Sequence, residues 1–200
     1  MNSNSRMVDS LVEKGYIETD RVEKAFRQTD RIDFTPEYYR DWTYKDRPIP
    51  LSKGATLSAP SMVAINTELL DVGRDDKVVE IGSGSGYQAA ILSELCQKVF
   101  GVEIIPQLVS KSRKVLKDRN NVEIFQGSGF QPLENQGLEK FDRILYSCAI
   151  DSLEEAEKHL KTGGVAVAPV KSENDQILTK IDSEGRSFHG SVKFVSFVNE

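Results

Sequence analysis

Apolar positions near the start of the chain recur at helical spacing. Leu11 and Val12, then Val22, Ala25 and Phe26, predict two short amphipathic helices. Lys14-Gly15-Tyr16 separates them, since glycine readily takes the left-handed turn that stops a helix, and Asp20 is expected to cap the second. From 31 to 58 the period is lost: Pro36, Pro48, Pro50 and Gly54 are interleaved with Phe34, Tyr38, Tyr39, Trp42 and Tyr44. A long structured loop follows, of a kind more often functional than idle. Residues 62–70 return to helix, ending near Gly73.

From Lys77 onward β-rich runs (78–81, 99–104, 122–125, 141–146, 165–170) alternate with helical ones (87–95, 108–116, 153–160). That alternation predicts an α/β fold with a mostly parallel sheet and helices on both faces. Two further runs, 176–181 and 192–198, read as strands on either side of Ser183-Glu184-Gly185, an antiparallel hairpin at one sheet edge. No repeat or low-complexity tract interrupts the chain.

Composition narrows the class. Two hundred residues fit one domain, with 1–73 as a helical cap and active-site loop and 74–200 as the α/β core with its hairpin. The net charge of -5 supplies no positive field for a polyanion, so no nucleic-acid partner is expected. The one basic cluster, Lys111, Arg113, Lys114, Lys117 and Arg119, has the spacing of a solvated helix face with Leu108, Val115 and Leu116 turned inward. Cys96, Cys148, His159 and His189 have neither disulfide-framework nor zinc spacing, and no metal is expected. No apolar run reaches the roughly 18–20 residues of a membrane span, and residues 1–5 lack the order of a secretion signal. The expectation is a monomer in the reducing cytoplasm, away from membranes.

The most informative segment is Val78-Val79-Glu80-Ile81-Gly82-Ser83-Gly84-Ser85-Gly86-Tyr87, a strand, a glycine-rich turn and a helix start. Glycines let backbone amides approach a ligand at a helix N-terminus. A dinucleotide fingerprint would need glycine at 87, where Tyr87 stands. Glu103 closes the next strand twenty-one residues beyond Gly82, the distance at which a carboxylate reaches ribose hydroxyls. Together these two features imply a nucleoside-type cofactor.

The run from Lys53 to Ala64, with Thr56-Leu57-Ser58-Ala59-Pro60 at its centre, and the run from Val79 to Ala90 resemble the signature of the protein-L-isoaspartate O-methyltransferases. Arg31-Ile32-Asp33-Phe34, Phe141-Asp142-Arg143-Ile144, Gly163-Gly164 and Phe194-Val195 resemble further landmarks. The resemblance implies a Rossmann-like class I methyltransferase with a seven-stranded sheet. It also implies S-adenosylmethionine (SAM) as methyl donor and S-adenosylhomocysteine as product. The methyl acceptor would be the free α-carboxylate of L-isoaspartyl residues in damaged peptides and proteins, whose ester then closes to a succinimide. By the same resemblance, Thr56 and Ser58 are catalytic. Ala55, Thr56, Leu57, Ser58, Gly82, Ser83, Gly84, Ser85, Gly86, Glu103, Ile104, Ser128 and Gly129 hold the cofactor. Thr56, Ser58, Ala59 and Val195 meet the substrate.

Three positions depart from the family pattern. Ser128 replaces the usual aspartate beside the adenine, which lowers the expected SAM affinity by about 1 kcal/mol. Ser196 replaces a proline, and Tyr146-Ser147-Cys148-Ala149-Ile150 replaces a run of small residues. These departures leave two rivals: a carboxylate methyltransferase of the same fold acting on a specific peptide or small acid, and a non-catalytic SAM-binding module. Amino-group methylation of nucleic acid is disfavoured by the acidic charge and by the absence of an Asn/Asp-Pro-Pro-aromatic motif.

Overall fold

The computed structural model describes residues 3–198. Helices α1 (Ser3–Glu13), α2 (Asp20–Gln28) and α3 (Pro60–Leu70) pack together, burying Val8 and Leu11 of α1 and Val22, Ala25 and Phe26 of α2. Gly15, at a φ of 70°, stops α1: the Tyr16 amide donates to the Leu11 carbonyl at 2.9 Å and the Gly15 amide to Val12 at 3.0 Å. The second helix departs from expectation at its cap. Thr19 occupies the N-cap and donates its hydroxyl to Glu68 of α3 at 3.1 Å, while Asp20 is the first helical residue and acts on the helix dipole.

The 31–58 loop holds two 3₁₀ turns, Arg31–Phe34 and Glu37–Trp42, and a two-residue antiparallel pair of β1 (Ile49–Pro50) with β2 (Thr56–Leu57). Tyr38, Tyr39 and Trp42 pack on one another, while Phe34 packs on Tyr87 and Tyr44 donates to Asp30. Tyr39 and Trp42 lie 5.1 Å apart, the Arg47 guanidinium sits 4.1 Å from the Trp42 ring, and Tyr38 is 90% exposed.

Strands β3 (Lys77–Ile81), β4 (Lys98–Glu103), β5 (Val122–Gln126), β6 (Phe141–Tyr146), β7 (Leu160–Lys171), β8 (Gln176–Asp182) and β9 (Gly185–Val192) form one sheet in the order β5-β4-β3-β6-β7-β8-β9. Pairing is parallel from β5 to β7 and antiparallel from β7 to β9. Helices α4 (Tyr87–Ser93), α5 (Pro106–Val115), α6 (Gln131–Glu134) and α7 (Glu154–His159) lie between the parallel strands in sequence. Both faces of the sheet are buried. Val78, Val99 and Leu145 join the core of the N-terminal helices and α4, while Val79, Phe100 and Ile144 join a second core with Leu133 and Ala156. From β3 the chain builds outward to β5, returns to place β6 on the other side of β3, and so opens a crevice at the carboxyl ends of the central strands.

Two expectations change. The outer hairpin strand is Gly185–Val192, not 192–198. Its side chains are exposed almost throughout, so the backbone ladder sets it and no apolar alternation marks it. Residues 193–198 leave the sheet edge and return over the end of β6: the Ala149 amide donates to the Val195 carbonyl at 2.7 Å, and the Phe197 amide to the Ala149 carbonyl at 2.8 Å. The Phe197 ring packs on the second core, which draws this segment inward. The basic cluster is also less solvated than its spacing suggests. Arg113 Nη2 donates to the Ile124 carbonyl at 2.6 Å, Arg119 Nη1 donates to Ser93 Oγ at 2.8 Å, and Val115, expected inward, is 38% exposed.

Candidate functional site

Period-two alternation sets the site. Glu80 near the end of β3, Glu103 at the end of β4 and Ser147 just past β6 fall on the same sheet face as Val78, Val99 and Leu145. The turn after β3 lies over them. Gly86 caps α4 at a φ of 86°, a backbone shape that favours glycine, and a Cβ there would also press on Leu116 and Ser112. The Gly82 and Ser83 amides both donate to the Val102 carbonyl, at 2.8 and 3.1 Å, which ties the turn to β4.

A cleft of about 380 Å³ opens at this point, within the range of small-ligand sites. It gathers Ala55, Thr56, Gly82, Gly84, Glu103, Ile104, Ser128, Gly129 and Val195 of the expected residues. Beneath Thr56 a recess of about 30 Å³, room for a group of water size, gathers Leu57, Ser58, Ser83 and Ser85. Thr56, Gly82, Gly84 and Ser147 line both spaces. Gly86 and Ala59 line neither: Gly86 shapes the turn, and Ala59 is the N-cap position of α3.

Glu103 is 5% exposed, and its Oε2 accepts the Gly84 amide at 2.8 Å while Oε1 accepts the Ile105 amide at 2.8 Å. Glu80 is buried more deeply, and Ser147 Oγ donates to its Oε1 at 2.7 Å. Burial pushes its carboxyl up to about 8; the Ser147 hydroxyl draws it back and the Glu103 charge adds to the rise. Cys148 forms part of the cleft wall, and burial holds its thiol up at about 12, a neutral and unreactive state. Ser128 spends its hydroxyl on the C-terminal segment, donating to the Val198 carbonyl at 2.9 Å.

Ser147 and Cys148 belong to the 146–150 run that the sequence already marked as departing from the family pattern beside the site, whereas sequence reasoning missed Glu80 and Phe197 as lining groups. For Glu80 a signal existed: a carboxylate among Val78, Val79 and Ile81 in a central parallel strand has nowhere to face but the core. Phe197 carried none, because its position depends on the segment leaving the sheet.

The polar lining selects among ligands. Glu80 Oε2, Ser83 Oγ and Gln88 Oε1 are buried side-chain atoms without a well-formed hydrogen bond, and all three residues line the recess. Hydroxyl groups dominate the recess, and among the described residues Lys53 is the single cation lining the cleft. A pyrophosphate would meet the Glu103 carboxylate at the turn, whereas ribose hydroxyls would find an acceptor in place.

The family model described as Protein-L-isoaspartate(D-aspartate) O-methyltransferase (PCMT) matches residues 2–200. The protein-L-isoaspartate O-methyltransferase of Pyrobaculum islandicum is 36% identical, with 96% of each chain covered. That of Methanopyrus kandleri is 38% identical over 99% of this chain and 92% of its own. A Plasmodium falciparum structure described as a protein-L-isoaspartate O-methyltransferase, in complex with S-adenosyl-L-homocysteine, superimposes with a TM-score of 0.88 at 25% identity, covering 100% of both chains. Its likeness extends over the cleft and over the N-terminal helices alike, so the Rossmann-like methyltransferase core and its cap are one shared design. With strand order, glycine turn and sequence in agreement over nearly the whole length, this chain belongs to the protein-L-isoaspartate(D-aspartate) O-methyltransferase family.

Proposed function

We propose that this protein transfers a methyl group from SAM to the α-carboxylate of L-isoaspartyl residues in peptides and proteins. Family membership over residues 2–200 carries the reading. The cleft supports it physically: Glu103 offers an acceptor to ribose hydroxyls, and Thr56 and Ser58 offer hydroxyl donors to a carboxylate. When bound, SAM supplies the methyl group as an electrophile.

The chain's own residues have a limited task. A substrate carboxylate, with a pKa near 4, is ionised at neutral pH and needs no general base. In-line displacement requires it to be held close and in one orientation. Thr56, which lines both spaces, and Ser58, in the recess, are the hydroxyl donors for that carboxylate. Val195 borders the cleft on the side where the C-terminal segment crosses, and its carbonyl is already engaged by the Ala149 amide. The backbone of this segment forms the wall along which a peptide would lie.

Labelled SAM with a matched pair of peptides, one containing L-isoaspartate and the other L-aspartate, tests the proposal. A base-labile methyl ester on the isoaspartyl peptide alone is the expected result. Equal labelling of both peptides, or SAM binding without turnover, would overturn it.

A further inference from the structure

We propose that Arg31 is a positioning residue for methyl transfer: its buried guanidinium pins the backbone at Ser58 against the start of helix α4, so that Thr56 and Ser58 meet the cleft in one arrangement. The inference rests on the role given to Ser58 above and adds a residue that lines neither the cleft nor the recess.

Arg31 is 0% exposed. Its Nε donates to the Thr43 carbonyl at 2.9 Å, and its Nη2 donates to the Ser58 carbonyl at 2.7 Å. The guanidinium carbon lies 5.0 Å from the centre of the Tyr87 ring. Tyr87 is the first residue of α4, and its own ring packs against Phe34 at 5.4 Å and Phe26 at 6.3 Å. Three segments far apart in sequence therefore converge on one side chain: the end of the loop that carries Ser58, the middle of that loop at Thr43, and the helix that follows the glycine turn.

Among the described residues no carboxylate forms an ion pair with this guanidinium; the Asp46 carboxylate instead accepts the Ser61 amide at 2.9 Å. A buried charge without a counter-ion is costly, and an apolar side chain of similar volume would avoid that cost. What an apolar residue lacks is a planar fork that donates in two fixed directions while its face rests on an aromatic ring. The local need for such a fork is plain. The β1–β2 pair is only two residues long, with the register Ile49↔Leu57 and Pro50↔Thr56, so its ladder gives the Thr56–Ser58 segment little rigidity. Arg31 supplies a second fixed point directly on Ser58, and refers it to the same helix that the glycine turn refers to. Lysine would bring three donors on one rotating nitrogen, without the fixed fork that spans both carbonyls or the planar face that rests on Tyr87.

The test uses the full chain with an L-isoaspartyl peptide. Wild-type turnover is measured first, since its absence would strike at the proposed function and not at Arg31. Arg31→Lys and Arg31→Met are then prepared alone and with Ser58→Ala, each with its melting curve and its calorimetric affinity for S-adenosylhomocysteine. In folded variants the affinity should stay within about threefold of wild type. Peptide kcat/KM should fall about tenfold or more in Arg31→Met, and less in Arg31→Lys. The same substitutions in the Ser58→Ala background should cost less than they do alone, because the Ser58 share of the effect is already gone while the Thr56 share remains. Unchanged kcat/KM in a folded variant, or the same fold-loss in both backgrounds, would overturn the inference. Should neither variant fold, hydrogen exchange of the wild type decides. Protection of residues 56–59 equal to that of α4 supports the pin, and exchange as fast as at residues 52–54 rejects it.

Discussion

Glu103 and Gly84 are joined across the floor of the cleft by a hydrogen bond of 2.8 Å from the loop amide to the carboxylate. The second carboxylate oxygen takes the Ile105 amide, so one side chain sets both the glycine turn and the segment that follows β4. Each oxygen retains a lone pair for a ligand hydroxyl. Glu103→Ala should therefore weaken S-adenosylhomocysteine binding by about 1.5–3 kcal/mol, the range for a hydrogen bond to a charged group. Titration calorimetry measures this, and an unchanged dissociation constant would place the ribose contact elsewhere.

Ser58→Ala removes a hydroxyl from the recess and leaves the cleft proper intact. Turnover of an isoaspartyl peptide should fall about tenfold or more, with cofactor affinity unchanged. A normal rate would remove Ser58 from the reaction.

Glu80 couples stability to pH. Its carboxyl is raised in the folded state from an ordinary 4.5 to about 8, so between those values the folded chain keeps a proton that the unfolded chain has released. Stability then falls as pH rises through that window and levels off above it, an effect of a few kcal/mol in all. Glu80→Gln keeps an acceptor for the Ser147 hydroxyl without the titration. The variant should gain melting temperature over wild type progressively from pH 5 to pH 8. Parallel melting profiles across that range would show that Glu80 carries its charge throughout.

Ser128 stands where the family pattern has an aspartate, and its donor is already committed to the Val198 carbonyl. Ser128→Ala should free that segment, seen as faster hydrogen exchange at residues 194–198, and should lower cofactor affinity by about 1 kcal/mol for a neutral contact. Ser128→Asp cannot donate to the carbonyl and should free the segment equally. Unaltered exchange in both variants would mean that the two backbone bonds to Ala149 and the two bonds between Phe194 and the Gln176 side chain hold the segment without Ser128.

The parallel sheet and the turn at Gly82, Gly84 and Gly86 were legible in the sequence because each rests on local rules: short β-branched runs between helices, and glycines where φ is positive. Glu103 was legible because distance along a strand–turn–helix unit translates directly into distance in space. The second hairpin strand was misplaced. Residues 185–192 are mostly polar and exposed, held by the ladder together with side-chain bonds from Arg186 to Glu157 and from Ser191 to Asp175, while Phe197, which looks like an alternating strand position, is drawn off the edge by the core beneath Tyr146. Arg31 was visible as part of a motif, but its partners lie 12 and 27 residues away, and no spacing rule connects a buried arginine to two backbone carbonyls.

The cleft wall combines residues 53–56 with residues 195–198, segments that flank the whole seven-stranded sheet in sequence. A small molecule seated there works as a reversible cross-link over some 140 positions, and no part of the chain can bind it fully until every strand between them is in place. Ligand at a hundred times its dissociation constant should stabilise the whole domain by about 2.7 kcal/mol. Cofactor binding therefore counts native molecules: a preparation's stoichiometry for S-adenosylhomocysteine reports the fraction of chains that have completed folding.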